Sequence, residues 1–257
     1  MVQQSKPKKS PAPSVTSRGI QSIEVGGKLL QALADAGRVM ALKDLALAAK
    51  MTPAKAHPYL VSFSKLGLIE QDADTGRYGL GAFGVQLGLI GLQQIDPVRL
   101  AGAELQGLAL RVGHTVAISV WGTQGPTIIK TEAGPESIYV SIRLGTTISV
   151  PGTASGKLFA ALLPTDTAKA IAGEAWHDAA FQKDLATIRK INISVVSDSV
   201  VSGVSAIATP VFDAFGHIVL ALVAIGPSAT LDLKANGAPV LSLKEAASRL
   251  SKRLGAL

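Results

Sequence analysis

From residue 22 onward the apolar positions recur at spacings of three and four. Val25, Leu29, Leu30 and Leu33 share one face, which predicts a helix that Ser22 is placed to cap and Gly37 to end. Leu42, Leu45, Ala46 and Ala49 form a second, shorter stripe over 42–50. Met51-Thr52-Pro53 interrupts it: Thr52 suits a helix cap, and Pro53 suits the first helical position, where its missing N–H costs nothing. The third helix so predicted runs to about Leu66, with Tyr59, Leu60, Phe63 and Leu66 towards a core and Gly67 past its end. Two short strands, over 68–71 and 77–80, then flank Asp72-Ala73-Asp74-Thr75-Gly76 and read as a hairpin. Three helices, a tight link between the second and third, and a hairpin predict a winged helix-turn-helix over 22–81.

The pattern then changes. Residues 82–96 begin as an apolar, glycine-studded and uncharged helix, read as a linker. Pro97 starts a helix to about Val112, and strands are expected over 114–121, 127–131, 139–143, 204–212 and 217–224. Between and after them, helices are expected over 153–163, 166–172, 178–190 and 242–254. Residues 213–216 supply the turn between the two longest apolar strands. Residues 97–257 are therefore expected to form an α/β domain built on an antiparallel sheet flanked by helices.

Charge sharpens this division. Residues 1–80 carry 11 basic and 6 acidic side chains, a net of +5, whereas 81–257 carry 14 and 12, a net of +2. The excess lies where a domain meeting phosphates would need it. Residues 1–21 are rich in Lys, Ser and Pro and are expected to be a disordered basic tail. The longest apolar runs are about nine residues against the roughly 20 of a membrane-spanning helix. No apolar stretch marks the first twenty residues as a secretory signal, so the expectation is a cytoplasmic protein with no membrane partner. With no Cys among 257 residues, disulfides, thiolate metal sites and thiol catalysis drop out.

The order and spacing of several segments resemble the isocitrate-lyase-regulator (IclR) family of bacterial transcription regulators, over residues 22–254. In the N-terminal part these are Ala54-Lys55-Ala56-His57-Pro58-Tyr59-Leu60, Leu66-Gly67-Leu68-Ile69-Glu70 and Gly76-Arg77-Tyr78-Gly79-Leu80-Gly81. Further on they are Thr153-Ala154-Ser155-Gly156-Lys157, the stretch from Gly203 to Val211, and Gly226-Pro227. The resemblance implies a GAF-like effector domain, a small-molecule effector, and homodimers or homotetramers on a (pseudo)palindromic duplex DNA operator.

In a helix-turn-helix the first turns of the second helix of the motif enter the major groove. The candidate DNA contacts are Thr52, Ala54, Lys55, His57 and Tyr59, with Arg77 after the wing turn; Tyr59 is also a core position by its spacing. Pro58 stands where many relatives carry Arg, and in a helix interior it is expected to bend the helix or to move its start. For the effector, the resemblance points to a pocket between the sheet and the helix after Thr153. Its candidate lining is Ile148, Thr153, Ala154, Ser155, Val204, Ala206, Val223 and Ile225. The helix N-terminus at 153–155 favours an anion. Relatives often place polar residues at or near positions 196, 206, 223 and 225; here those positions are Val, Ala, Val and Ile. Since burying an unpaired polar group costs roughly 1–3 kcal/mol, the expected effector is largely apolar or aromatic, with at most one anionic end.

Enzyme readings find little support. Gly152-Thr153-Ala154-Ser155-Gly156-Lys157 has three residues between its glycines and Leu158 after Lys157, so it fails the phosphate-loop pattern. The four His are scattered without metal-ligand spacing, and neither a nucleophile elbow nor a paired-carboxylate site stands out. No cofactor, metal or catalytic residue is expected. The alternative class is a small-molecule-binding module whose degenerate helix-turn-helix serves dimerisation, a reading that rests on Pro58.

Overall fold

The computed structural model describes residues 19–136 and 144–256. They fall into two compact units, one up to Gln93 and one from Gln94.

The first unit opens with α1 (Gln21–Ala36). Its start lies ahead of the expected cap. Ile20, in extended conformation, is the N-cap, and its carbonyl takes the Ile23 and Glu24 N–H groups, so Ser22 sits inside the first turn. Gly37 ends α1 with φ +60°, the left-handed geometry that favours glycine. α2 (Leu42–Ala48) stops earlier than its apolar stripe suggested, because Lys50 turns to φ +56° and Met51 N–H reaches back to Ala46. α3 (Pro53–Lys65) follows, then β1 (Ile69–Gln71) and β2 (Tyr78–Leu80), which pair antiparallel. Leu29, Leu33, Leu45, Leu60, Ile69 and Tyr78 are buried together as the core of this unit. α4 (Ala82–Gln94), the helix read as a linker, leaves directly from β2. Its start is pressed close to the end of α3: a Cβ on Gly81 or Gly84 would collide with the carbonyls of Gly67 or Leu68.

The second unit begins with α5 (Pro97–Val112), capped by Asp96, whose carboxylate accepts from Val98 and Arg99 N–H. β3 (Thr115–Gly122) and β4 (Gly125–Glu132) form a hairpin. Next come α6 (Ala154–Leu162), α7 (Thr165–Ala172), a short 3-10 helix over Gly173–His177, and α8 (Ala179–Ile191). β5 (Ser194–Ser197), β6 (Val204–Phe212), β7 (Ile218–Pro227) and α9 (Ala238–Arg253) complete it. The strands make one antiparallel sheet in the order β4-β3-β7-β6-β5. Alternation then separates two cores. Val116, Ile118, Ile207, Val211 and Leu222 point to the face covered by α5 and α9. Ala117, Ala208, Ala221 and Val223 point to the face covered by α6 and α8, and their small side chains bring α6 close to the sheet.

Two further expectations change. The sequence pattern does not show β5: its four residues, Ser-Val-Val-Ser, are too few and lack the apolar/polar alternation that marks a strand. α9 starts at Ala238 rather than Ser242, since Pro239 fits a first helical turn. The strand expected over 139–143 lies outside the described residues. No helix among the described residues is long and apolar enough to cross a membrane.

Candidate functional site

α3 presents one exposed polar edge and one buried edge. Thr52 caps it, its Oγ1 accepting from Lys55 N–H at 3.3 Å, with Pro53 in the first turn. Thr52, Ala54, Lys55, His57 and Pro58 are exposed, while Ala56 and Leu60 are fully buried beneath them. The helix carries no acidic residue. Tyr59 departs from the expected contact set: it is half-buried in the core of the unit, its ring filling the space beside Gly26 on α1. α3 begins at Pro53 and continues as one helix through Pro58. Pro58 has no N–H to give the Ala54 carbonyl, and Ser62 Oγ donates to the Pro58 carbonyl at 3.0 Å.

Arg77 is exposed at the end of the wing turn. The turn is held by Asp72, whose carboxylate accepts from Thr75 Oγ1 at 2.7 Å and Thr75 N–H at 2.6 Å, and Gly76 supplies φ +65°. Those hydrogen bonds, the Thr75 hydroxyl first, hold the Asp72 carboxyl below the usual carboxylate range. Lys55, His57 and Arg77 thus belong to one unit and are all solvent-facing.

In the second unit the eight residues expected around an effector do share one cavity, of about 160 Å³. Ala154 and Ser155 contribute from the first turn of α6 and Thr153 from its cap. Ile148 comes from the preceding loop, Val204 and Ala206 from β6, and Val223 and Ile225 from β7. The wall is almost wholly apolar. Its polar corner is the start of α6: Thr153 Oγ1 accepts from Gly156 N–H at 3.1 Å and donates to the Ser149 carbonyl at 2.6 Å. That leaves the Ala154 and Ser155 N–H groups without an acceptor among the described residues. Ser155 Oγ is buried there with no hydrogen-bond partner. An acceptor entering the cavity would satisfy it.

The sequence reading missed the loop between β5 and β6. Ser199, Val200 and Val201 close one side of the cavity, and both valines remain more than half exposed to solvent. Asp198 anchors the loop, at φ +54°, accepting from Gly203 N–H at 2.6 Å, Ser197 Oγ at 2.7 Å and Ser228 Oγ at 2.9 Å. These bonds, Ser197 first, lower its pKa. The signal in the sequence was two adjacent valines inside a Ser/Asp-rich stretch, apolar side chains with no periodic face to join. Among the described residues, no three His, Asp or Glu side chains converge as metal ligands.

Two family models match the chain. The IclR helix-turn-helix domain covers residues 22–73, and the bacterial transcriptional regulator IclR C-terminal domain covers residues 91–252. HmgR of Pseudomonas aeruginosa superposes with a TM-score of 0.86 at 30% identity, over 92% of this chain and 99% of that one. The glycerol operon regulatory protein of Streptomyces griseus is 28% identical over 93% of this chain and 98% of its own length. An IclR homologue of Microbacterium hydrocarbonoxydans, crystallised with 4-hydroxybenzoate, shares the fold at a TM-score of 0.54 and 18% identity, over 90% of this chain and 98% of that one. A helix-turn-helix unit and an effector-domain sheet, each matched by its own model, make this chain a member of the IclR family of transcription regulators.

Proposed function

We propose that the chain regulates transcription by binding a duplex operator through α3 and the wing, under control of a small single-ring or branched apolar effector with one anionic head. The observation that carries the effector half is the polar corner of the cavity. Two helix N-terminal N–H groups and the unpartnered Ser155 hydroxyl converge in a wall that is otherwise apolar. A carboxylate accepts all three, and the helix dipole favours its charge. The volume of about 160 Å³ is below the roughly 300–1,000 Å³ of sites for drug-sized ligands, so the rest of the ligand is compact. The 4-hydroxybenzoate of the Microbacterium relative has this shape and charge. At the DNA half, Thr52, Ala54, Lys55 and His57 form the reading edge, and Arg77 serves the phosphates from the wing.

The working form is a homo-oligomer. α4 exposes Phe83, Val85, Leu87, Leu89 and Ile90 and bears no charge. Two copies related by a dyad therefore meet there without like-charge repulsion, as a palindromic operator requires.

The test uses the full chain and duplex fragments flanking its gene, at about 50 and 200 mM salt with competitor DNA. Selective, salt-sensitive binding that falls about tenfold in Lys55→Ala, and that shifts when 4-hydroxybenzoate but not 4-hydroxybenzyl alcohol is added, is the expected result. Binding of the acid with no selective DNA binding would instead leave a ligand-binding module with a silent helix-turn-helix.

A further inference from the structure

β5 ends its pairing with β6 at Ser194 opposite Ala208. From Thr209 onward the outer edge of β6 has no strand beside it among the described residues, and Pro210 and the capped Phe212 N–H take the place of a ladder there. Ser251 Oγ of α9 accepts that Phe212 N–H at 2.9 Å and donates to the Ala247 carbonyl at 2.8 Å. A proline on an uncovered sheet edge forfeits no hydrogen bond. The gap this leaves between β6 and α9 is a second cavity, of about 260 Å³, with a floor from Pro210, Phe212 and Ala247.

Two of its polar groups are ammonium donors, and no carboxylate side chain lines it. Lys244, Ser248 and Lys252 recur every four residues and so stand on one stripe of α9 at the rim, and Asn192, the left-handed cap of α8, faces them from the other side. Among the described residues neither lysine has an acidic partner. The one acid of α9, Glu245, is held by Arg249 in a cluster that also takes Glu104 of α5 and Arg253. Asp213 lines a neighbouring hollow and accepts from the Phe215 and His217 N–H groups. At the bottom lies Thr209. It points to the α9 face, as Ile207 and Val211 do on either side of it. It is 1% exposed, and its Oγ1 has no hydrogen-bond partner. A buried orphan hydroxyl is unfavourable, and an acceptor in the cavity would remove that cost.

We propose that this cavity is a second ligand site, built for a small organic anion with a carboxylate or phosphate head. The head meets the two ammonium groups and the Thr209 hydroxyl, and a short apolar body lies on Pro210 and Phe212. The site is separate from the effector cavity. The two have no lining residue in common and share only β6, which lends Val204, Ser205 and Ala206 to one and Thr209, Pro210 and Phe212 to the other.

The experiment is amide NMR of the full chain titrated with inorganic phosphate and, separately, with propionate. Saturable shifts centred on Thr209, Phe212 and residues 244–252 are expected with at least one probe, and which probe binds tighter identifies the head. Affinity is expected to fall about tenfold or more in Lys244→Gln/Lys252→Gln and in Thr209→Val. Thr209→Ser is expected to restore it, and Ser155→Ala to leave it unchanged. All four variants are first shown to keep the amide dispersion of the parent. Shifts confined to residues 153–155, unsaturable shifts, or equal affinity in the lysine variant would overturn the proposal.

Discussion

Two helices of this protein begin alike and do different work. α3 and α6 are both capped by a threonine whose Oγ1 accepts an N–H three residues on, Lys55 at 3.3 Å and Gly156 at 3.1 Å. Both follow the cap with small residues and no acid in the first turn. Around α3 that turn is open to solvent, with Ala54, Lys55 and His57 all exposed. Around α6 it is sealed: Ala154, Ser155 and Gly156 are buried, and a glycine is needed because a Cβ at 156 would lie 2.5 Å from the Val150 carbonyl. The same cap therefore offers its positive end to an open surface in one case and to a partly closed cavity in the other. A long polyanion fits the first arrangement, and a single small anion fits the second, where low dielectric strengthens each hydrogen bond.

This contrast breaks most visibly at the small residues of the two first turns. Gly156→Val is expected to destabilise the C-terminal unit by about 3 kcal/mol through overpacking. Ala54→Val on the open turn is expected to cost only about 0.6 kcal/mol, the difference in helix propensity. Thermal or denaturant unfolding of the two variants checks this, and equal losses would mean that the tight approach at 156 is relieved by a shift of α6.

Pro58 is the next handle, because α6 has no counterpart to it. Pro58→Ala gives the Ala54 carbonyl its missing partner and is expected to raise the stability of the N-terminal unit by about 2 kcal/mol. Hydrogen exchange in α3 reports it directly; unchanged protection at residues 56–62 would show that the proline is already accommodated without cost.

A smaller effect is expected from Ser155→Ala. It removes the orphan hydroxyl, so binding of 4-hydroxybenzoate is expected to weaken about tenfold while the free protein gains up to about 1 kcal/mol. Calorimetric titration beside a melting curve separates the two, and tighter acid binding in the variant would displace the anion head from this corner.

The smallest effect belongs to the wing. The Asp72 carboxyl is held below its ordinary value in the folded turn, so its contribution is complete above the ordinary carboxylate range and is lost as pH falls through the lowered folded value. Exchange at the Thr75 and Gly76 amides is expected to stay protected through mildly acidic solution and to rise only below about pH 4. Loosening near neutral pH would contradict the Asp72–Thr75 bonds.

Much of this was legible in the chain because caps, turns and periodic stripes are local signals. Thr52-Pro53, Asp72 to Gly76, and Thr153 followed by Ala154, Ser155 and Gly156 each carry their geometry within a few residues. The family resemblance named a candidate effector lining, and the structure gathers all eight of its residues round one cavity. Tyr59 is a candidate for both core and DNA, because helical spacing marks a face but not how far a large ring is drawn in; the structure half-buries its ring beside Gly26. β5 and the start of α9 were missed where the local pattern is short.

The sequence by itself determined which helices form and in what order, which third of the chain carries the positive charge, and that the chain holds no thiol chemistry. Tertiary structure alone decided which polar groups end up without partners. Ser155 and Thr209 look like any other hydroxyls in sequence, yet packing buries both and leaves each facing a cavity. Closure of the first cavity depends on Asp198 gathering Ser197, Gly203 and Ser228, and opening of the second depends on β5 ending one pair short of Thr209. Such effects are set by contacts between residues far apart in the chain, and local propensity carries no record of them.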